Sequence, residues 1–206
     1  NETAGCVPMS DRPILFSAPM IRALLAGTKT QTRRLHKVPD ALAHLAGSVA
    51  PRFKVGDRLW VRESFRLGAE HDAGPPAAVL PSDVAWKEAD GAAPKWTGKL
   101  RPGIHMPRWA SRLTLHVTEV RVQRLQEISV QDAIDEGIEP LPSGEYRDYA
   151  DTGYVPGVAP PYDARGSYAT LWASINGVES WAANPWVVAV SFLVEKANIE
   201  RASRAE

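Results

Sequence analysis

The sequence predicts an α+β fold, a small mixed β-barrel with short flanking helices and long loop insertions. Three observations carry this. Strand-like segments are several and short. Helical spacing recurs in only three brief stretches. Between them lie long segments rich in proline and glycine, with 17 prolines among 206 residues. Chains of this length hold one domain with generous loops or two very small ones.

The elements follow in order. Pro13-Ile14-Leu15-Phe16 reads as a short strand. Pro19 suits the first turn of a helix, where the missing donor is harmless, and Ile21, Leu24 and Leu25 keep helical spacing. Gly27 stands where a left-handed cap would end that helix. Residues 36–51 fit either one helical turn or a loop. Val55-Gly56-Asp57-Arg58 is a tight turn into Leu59-Trp60-Val61-Arg62-Glu63-Ser64-Phe65, which alternates as a strand does. Residues 67–82 read as a loop, Val84-Ala85-Trp86-Lys87 as a short strand, and Lys95 to Trp109 as irregular. From Arg112 to Leu125 the strand signal is strongest. Leu113, Leu115 and Val117 share one phase, Val120 and Val122 the other, so a bulge or bend is expected between two strands. Ser129 and Asp132 form a capping box at the start of a short helix that ends at Glu136, with Gly137 after it. Residues 139–163 form a long loop holding Tyr146, Tyr149, Tyr154 and Tyr162, which either make a lid or pack the loop onto the body. Tyr168, Leu171, Trp172 and Ile175 mark a helix closed by Asn176-Gly177, and Trp186 to Glu195 is a final, largely apolar strand. Trp60, Trp172 and Trp186 are expected in the core. Residues 1–8 read as an N-terminal extension before Met9-Ser10, residues 9–196 as one domain with insertions near 66–110 and 139–163, and residues 197–206 as a polar tail that frays.

Composition excludes several classes. With 24 basic and 24 acidic residues, net charge gives no general attraction to nucleic acid or membrane. One cysteine excludes an internal disulfide framework and a multi-cysteine zinc site. The five histidines lack metal-ligand spacing, so neither a metal nor another cofactor is expected. The lone cysteine points to a reducing cytoplasm; no apolar run is long enough for a membrane span, and the N-terminus lacks a signal pattern.

The most informative segment is Leu25-Ala26-Gly27-Thr28-Lys29-Thr30-Gln31-Thr32-Arg33-Arg34. No core-forming residue stands between Gly27 and Leu35, and the run is cationic and hydroxyl-rich. Such a run is expected to face a solvent-filled site for an anionic or hydrogen-bonding ligand, such as a nucleoside or nucleotide.

This segment resembles the helix-Gly-x-Lys-Thr-x-Thr-x-Arg pattern of the ASCH family, whose fold is similar to the PUA domain of RNA-modifying proteins. Val55-Gly56-Asp57-Arg58-Leu59-Trp60-Val61 resembles the family's Gly-Asp-x-Leu strand. A third likeness is Leu113 to Gly137, a long strand leading to Ile128-Ser129-x-x-Asp132-Ala133-x-x-Glu136-Gly137, and Asn184-Pro185-Trp186-Val187 also fits. The larger, tryptophan-rich members found in phages and prophages are similar at Ser17-Ala18-Pro19-Met20, Trp60-Val61-Arg62-Glu63, Ile104 to Arg112 and Leu171 to Asn176. A small bacterial member removes the acyl group from N(4)-acetylcytidine. The resemblance maps its catalytic lysine, threonine and glutamate onto Lys29, Thr32 and Glu136. It implies a metal-independent amidohydrolase acting on N(4)-acylated cytosine nucleosides or bases. The alternatives are a non-catalytic module binding RNA or a modified nucleotide, and a ribonuclease; the oligomeric state stays open.

Amide hydrolysis needs a nucleophile, an acceptor for its proton and a donor for the developing oxyanion. Lysine accepts the proton of a threonine hydroxyl only when its ammonium is pushed toward neutrality. Burial and nearby cations such as Arg33 and Arg34 do this, while Glu136 opposes it. In a second scheme Lys29 stays charged and polarises the carbonyl while Glu136 activates water. Positions 29 and 32 of a regular strand face opposite ways, so convergence requires a turn near Lys29 and Thr30. Arg34 either binds a substrate anion or carbonyl, or makes a structural ion pair. Arg62 and Glu63 either form a cross-strand pair or line the pocket. His105, Arg108, Trp109 and Arg112 suit a nucleotide or a single strand; the plainer expectation is that Trp109 packs and the charges are solvated.

Overall fold

The structure is a computed structural model that describes residues 10–37, 40–80, 85–150, 155–158 and 163–202. The expected N-terminal extension, Tyr154, Tyr162, the start of the Val84 strand and the last four residues lie outside them. In chain order the regular elements are β1 (Asp11–Leu15), α1 (Ala18–Ala26), β2 (Gln31–Leu35), β3 (Arg58–Arg62), β4 (Phe65–Arg66), β5 (Trp86–Lys87), β6 (Thr114–Arg124), α2 (Val130–Asp135), α3 (Ala164–Asn176) and β7 (Trp186–Glu195). Several single turns of 3-10 helix connect them, and Asp40–Ser48 is a longer one.

Five strands form one sheet in the order β1-β3-β6-β7-β2, and β4 pairs with β5 separately. The α+β class is as the sequence predicts. The barrel is not: among the described residues the sheet is open, with β1 and β2 at its edges. The two strands expected from Arg112 to Leu125 are one unbroken strand, β6. Its apolar phase changes where the chain passes from one compact unit to another, between Thr118 and Glu119. Val120 and Val122 are only half-buried, so the change of apolar phase does not mark a second buried face.

The first unit comprises residues up to Leu25, Val55–Thr118 and Leu193 onward. β1 lies parallel to β3, with Asp11 opposite Arg58 and Leu15 opposite Arg62, and β3 lies antiparallel to β6. Phe65, Leu67, Val79, Met106 and Ala110 form an apolar cluster, with Trp109 packed against it. The tail does not fray at residue 196. The Asn198 amide donates to the carbonyls of Arg108, Trp109 and Ser111, and Ile199 and Ala202 are buried. A polar sequence concealed this, because the anchors are backbone carbonyls rather than apolar partners.

A buried charge network also belongs to this unit. Arg112 grips Glu63 with two hydrogen bonds of 2.9 Å and Asp90 with one of 2.7 Å. Lys87, 4% exposed, holds its ammonium 5.8 Å from the Phe65 ring. Burial pushes the Lys87 amine down to about 8; Glu63 and Asp90 oppose that and Arg112 adds to it. Between about pH 8 and the ordinary lysine range the folded chain therefore binds fewer protons than the unfolded chain, and stability rises with pH there. The full shift corresponds to about 3 kcal/mol. Lys87→Met is expected to remove this rise. Urea midpoints at pH 7.5 and pH 10 for both proteins test it, and parallel pH dependence would contradict it.

The second unit comprises Ala26–Lys54 and Glu119–Phe192. β2 lies antiparallel to β7, with Thr32 opposite Val190 and Arg34 opposite Val188. Val187 to Val190 are all buried, as expected for a strand apolar on both faces. The core gathers Leu125, Ile128, Ala133 and Ile138 around Tyr168, Ala169, Trp172 and Ala173 of α3. Tyr146 and Tyr149 pack against this core, so these two loop tyrosines fasten the loop to the body. Trp172 is in the core as expected. Trp60 and Trp186 are only half-buried, with Arg62 and Arg124 over their rings at 5.2 and 4.4 Å.

Candidate active site

Local geometry brings the first motif to α2. Gly27 adopts φ +80°, which ends α1 and turns the chain. The Thr30 amide then donates to the Asp135 carbonyl (2.8 Å), and the Thr30 carbonyl accepts from the Phe192 amide (2.9 Å). These two bonds tie the segment before β2 to the last turn of α2 and to β7. They place Lys29 one residue from an anchor that is itself one residue from Glu136.

At α2, the Ser129 hydroxyl accepts from the Asp132 amide (3.0 Å), and the Asp132 carboxylate accepts from the Ser129 amide (3.3 Å), which is the expected capping box. Glu136 closes the helix and Gly137 follows at φ +93°. Carbonyls at a helix C-terminus attract cations. Lys29 supplies one: its Nζ donates to the Glu136 carbonyl at 2.8 Å and to Glu136 Oε2 at 2.7 Å. Lys29 is 1% exposed and Glu136 7%.

Alternation along β2 divides the remaining residues. Gln31 and Arg33 reach toward α2 together. Arg33 Nη2 pairs with Asp132 Oδ2 at 2.9 Å, and Nη1 lies 3.5 Å from Glu136 Oε1 and also donates to Gln31 Oε1. Gln31 Nε2 donates to Asp132 Oδ1 (3.1 Å), as does Arg121 Nη2 (2.7 Å). Thr32 is fully buried, and its Oγ1 accepts from Arg34 Nη1 at 2.9 Å. The Arg34 guanidinium lies in the field of Glu136 and Tyr168. Thr32 therefore joins the cluster through Arg34.

Only part of the polar run faces solvent, at Thr28 and Thr30. Lys29, Gln31, Thr32 and Arg33 are all buried. Sequence alone does not reveal the partners of Lys29, Gln31 and Arg33, because those lie about a hundred residues away in α2 and at its end. Once paired, these groups lose the cost that would otherwise keep them at the surface.

The charges shape one another. Burial pushes the Lys29 ammonium below the ordinary lysine range; Glu136 opposes this, and Arg34 and Arg33 add to it. For Asp132 burial alone would raise the carboxyl, but hydrogen bonds from Arg121, Gln31 and the Ser129 amide, with the Arg33 charge, hold it well below the carboxylate range. Tyr168 is pushed well above the phenol range, first by burial and then by the Glu136 charge; Arg33 and Arg34 oppose this.

Lys29, Arg33, Arg34, Thr32 and Glu136 thus share one cluster in the second unit. Arg62, Glu63, His105, Arg108 and Trp109 belong to the first unit and are engaged there differently. Arg62 donates to the Gly103 carbonyl (2.9 Å), and the partner of Glu63 is Arg112. Arg108 pairs with Asp11 and Glu200, each at 2.6 Å, and Trp109 packs on the Phe65 cluster. His105 is exposed in a turn of 3-10 helix. Three residues of the cluster escaped the site reading: Gln31, Asp132 and Tyr168. Gln31 stands inside the motif, Asp132 read as a cap, and Tyr168 as a core marker, so only their contacts give them this place.

The fold and the cluster define a mixed α+β protein with a buried lysine–glutamate pair beside two arginines. Searches of protein-family models, of curated proteins and of solved structures find no match to this chain. Among the described residues no three His, Cys, Asp or Glu side chains gather as metal ligands would, and no helix is long and apolar enough to cross a membrane.

Proposed function

We propose that the chain is a cytoplasmic ASCH-type protein of PUA-like fold, an amidohydrolase that removes the acyl group from N(4)-acylated cytosine nucleosides or bases. The observation that carries the reading is the buried Lys29–Glu136 pair at 2.7 Å, beside Arg33 and Arg34. In this scheme the Lys29 amine, pushed toward neutrality, takes the Thr32 hydroxyl proton as Oγ1 attacks the acyl carbonyl carbon. The carbon–nitrogen bond of the tetrahedral adduct then breaks, and the departing cytosine amine takes the proton back from Lys29. Water finally releases the acyl group from Thr32 as a carboxylic acid. Arg34 supports this order: its hydrogen bond to Thr32 Oγ1 stabilises negative charge developing on that oxygen. Against water activation by Glu136, the carboxylate already receives Lys29 and lies near Arg33. Both Lys29 and Thr32 are buried, so a substrate reaches them only when covering side chains move aside.

The test is hydrolysis of N(4)-acetylcytidine, with acetate and cytidine as products and no loss in the presence of a chelator. Thr32→Ala is expected to lower turnover by about 10²-fold or more. Full turnover in both Lys29→Ala and Thr32→Ala would remove the assignment. An RNA affinity that falls with rising salt, without hydrolysis, would favour the binding-module reading instead.

A further inference from the structure

Gln31 opens β2, opposite Ser191 of β7, and is 2% exposed. Its side-chain amide is engaged at both ends. Nε2 donates to Asp132 Oδ1 and to Ser191 Oγ, each at 3.1 Å. The Ser191 hydroxyl gives its own proton to Glu119 Oε2 at 3.3 Å, which leaves its oxygen to accept. Gln31 Oε1 accepts from Arg33 Nη1. A carboxylate only accepts and a guanidinium only donates. No other orientation of the amide satisfies Asp132 and Arg33 together.

Resting on the proposed amidohydrolase reading, we propose that Gln31 is a positioning residue: it holds Arg33 back from Glu136 and so reserves that carboxylate for Lys29. Arg33 reaches two carboxylates unequally. Nη2 stands 2.9 Å from Asp132 Oδ2, whereas Nη1 stands 3.5 Å from Glu136 Oε1, longer than an ordinary charge-assisted hydrogen bond. Lys29 Nζ lies 2.7 Å from the other oxygen, Oε2. A guanidinium is planar and rigid, so its anchors on Asp132 and Gln31 set how close Nη1 comes to Glu136. Asp132 also accepts from Arg121, on β6, and fixes the Gln31 amide from the side opposite Arg33.

Gln31→Met removes the acceptor while keeping a neutral side chain of similar length. Arg33 Nη1 is then a buried donor short of an acceptor, and Glu136 Oε1 is the oxygen within reach. As the guanidinium closes on Glu136, it takes a larger share of the carboxylate's attraction and brings positive charge nearer the Lys29 ammonium. Both effects favour the neutral amine. The remaining groups around the pair keep their charges: Arg34 on β2, Asp132 on α2, Arg121 and Glu119 on β6, with Tyr168 on α3 neutral. The Lys29 amine is expected to titrate about half a pH unit lower, roughly threefold in proton affinity. The acid limb of kcat/KM moves down with it.

Two measurements on the full chain decide it. One follows the side-chain carbons of Lys29 by NMR titration in the parent and in Gln31→Met, assigning the signal with Lys29→Arg. The other records pH profiles on N(4)-acetylcytidine. A downward shift of the Lys29 titration supports the proposal whether or not the parent hydrolyses this substrate. An unmoved or upward-shifted titration overturns it, even if melting temperature or kcat falls, since those changes follow from packing alone. If Gln31→Met does not fold, Ser191→Ala serves instead. It removes one of the two acceptors that aim the amide, so a smaller shift in the same direction is expected and an unmoved titration again overturns the proposal. A parent with no hydrolysis but a shifted titration would defeat the amidohydrolase reading and leave the role of Gln31 standing.

Discussion

Lys29→Met is expected to lower kcat/KM on N(4)-acetylcytidine by about 10³-fold or more, in the upper part of the range for lost proton transfer. The methionine stem fills much of the lysine's space, and Arg33 still faces Glu136. Melting followed by circular dichroism would separate lost chemistry from lost fold. Lys29→Arg discriminates between the two mechanisms. A guanidinium keeps the positive charge but cannot give up its proton near neutral pH. If the Lys29 amine is the base for Thr32, Lys29→Arg is as inactive as Lys29→Met. If Lys29 acts as a fixed cation while Glu136 activates water, Lys29→Arg retains measurable turnover and Glu136→Gln does not. The pH profile adds a sign. Since the neutral amine is the active form and burial lowers its pKa, kcat/KM should rise with pH and level off below the ordinary lysine range. A profile that falls across that range would contradict the scheme.

Arg33→Met is expected to destabilise the protein by about 3 kcal/mol, the lower end of the cost of breaking a buried ion pair. Arg33 has a fully buried side chain and faces two carboxylates, Asp132 at 2.9 Å and Glu136 at 3.5 Å. Removing it leaves both carboxylates with less compensation in a site with little water. The loss stays at the lower end because Asp132 keeps Arg121 and Glu136 keeps Lys29. Urea unfolding at pH 7 measures the effect. In the double variant Arg33→Met with Asp132→Asn, one uncompensated charge is also removed, so part of the stability should return. A loss below about 1 kcal/mol in the single variant, the value of an exposed pair, would show that the network is more solvated than its burial indicates.

Much of the local structure was legible because it is written in short-range chemistry. Pro19 and Gly27 bracket α1 almost to the residue, and Ser129, Asp132 and Gly137 bracket α2. β7 begins and ends where its apolar run does. The fate of β6 was not legible, since Val120 and Val122 alternate as buried residues would but are only half-buried. Nor was the anchored tail, whose Asn198 bonds to backbone carbonyls.

For the candidate site, the cationic, hydroxyl-rich run singled out its own segment, while only the resemblance to the ASCH family pointed to Lys29, Thr32 and Glu136; burial with Arg33 and Arg34 as neighbouring cations was expected to press on the Lys29 charge. Only the tertiary structure decided that Lys29, Thr32, Arg33 and Glu136 are buried and that Lys29 meets Glu136 at both its carboxylate and its carbonyl. It also decided that Thr32 is reached through Arg34, and that Tyr168 enters from α3. The physical reason is the range of the interactions. Caps, turns and periodicity act within a few residues and can be read from neighbours. A charge in the interior survives only beside a partner that the fold delivers, and here that partner lies 107 residues further along the chain.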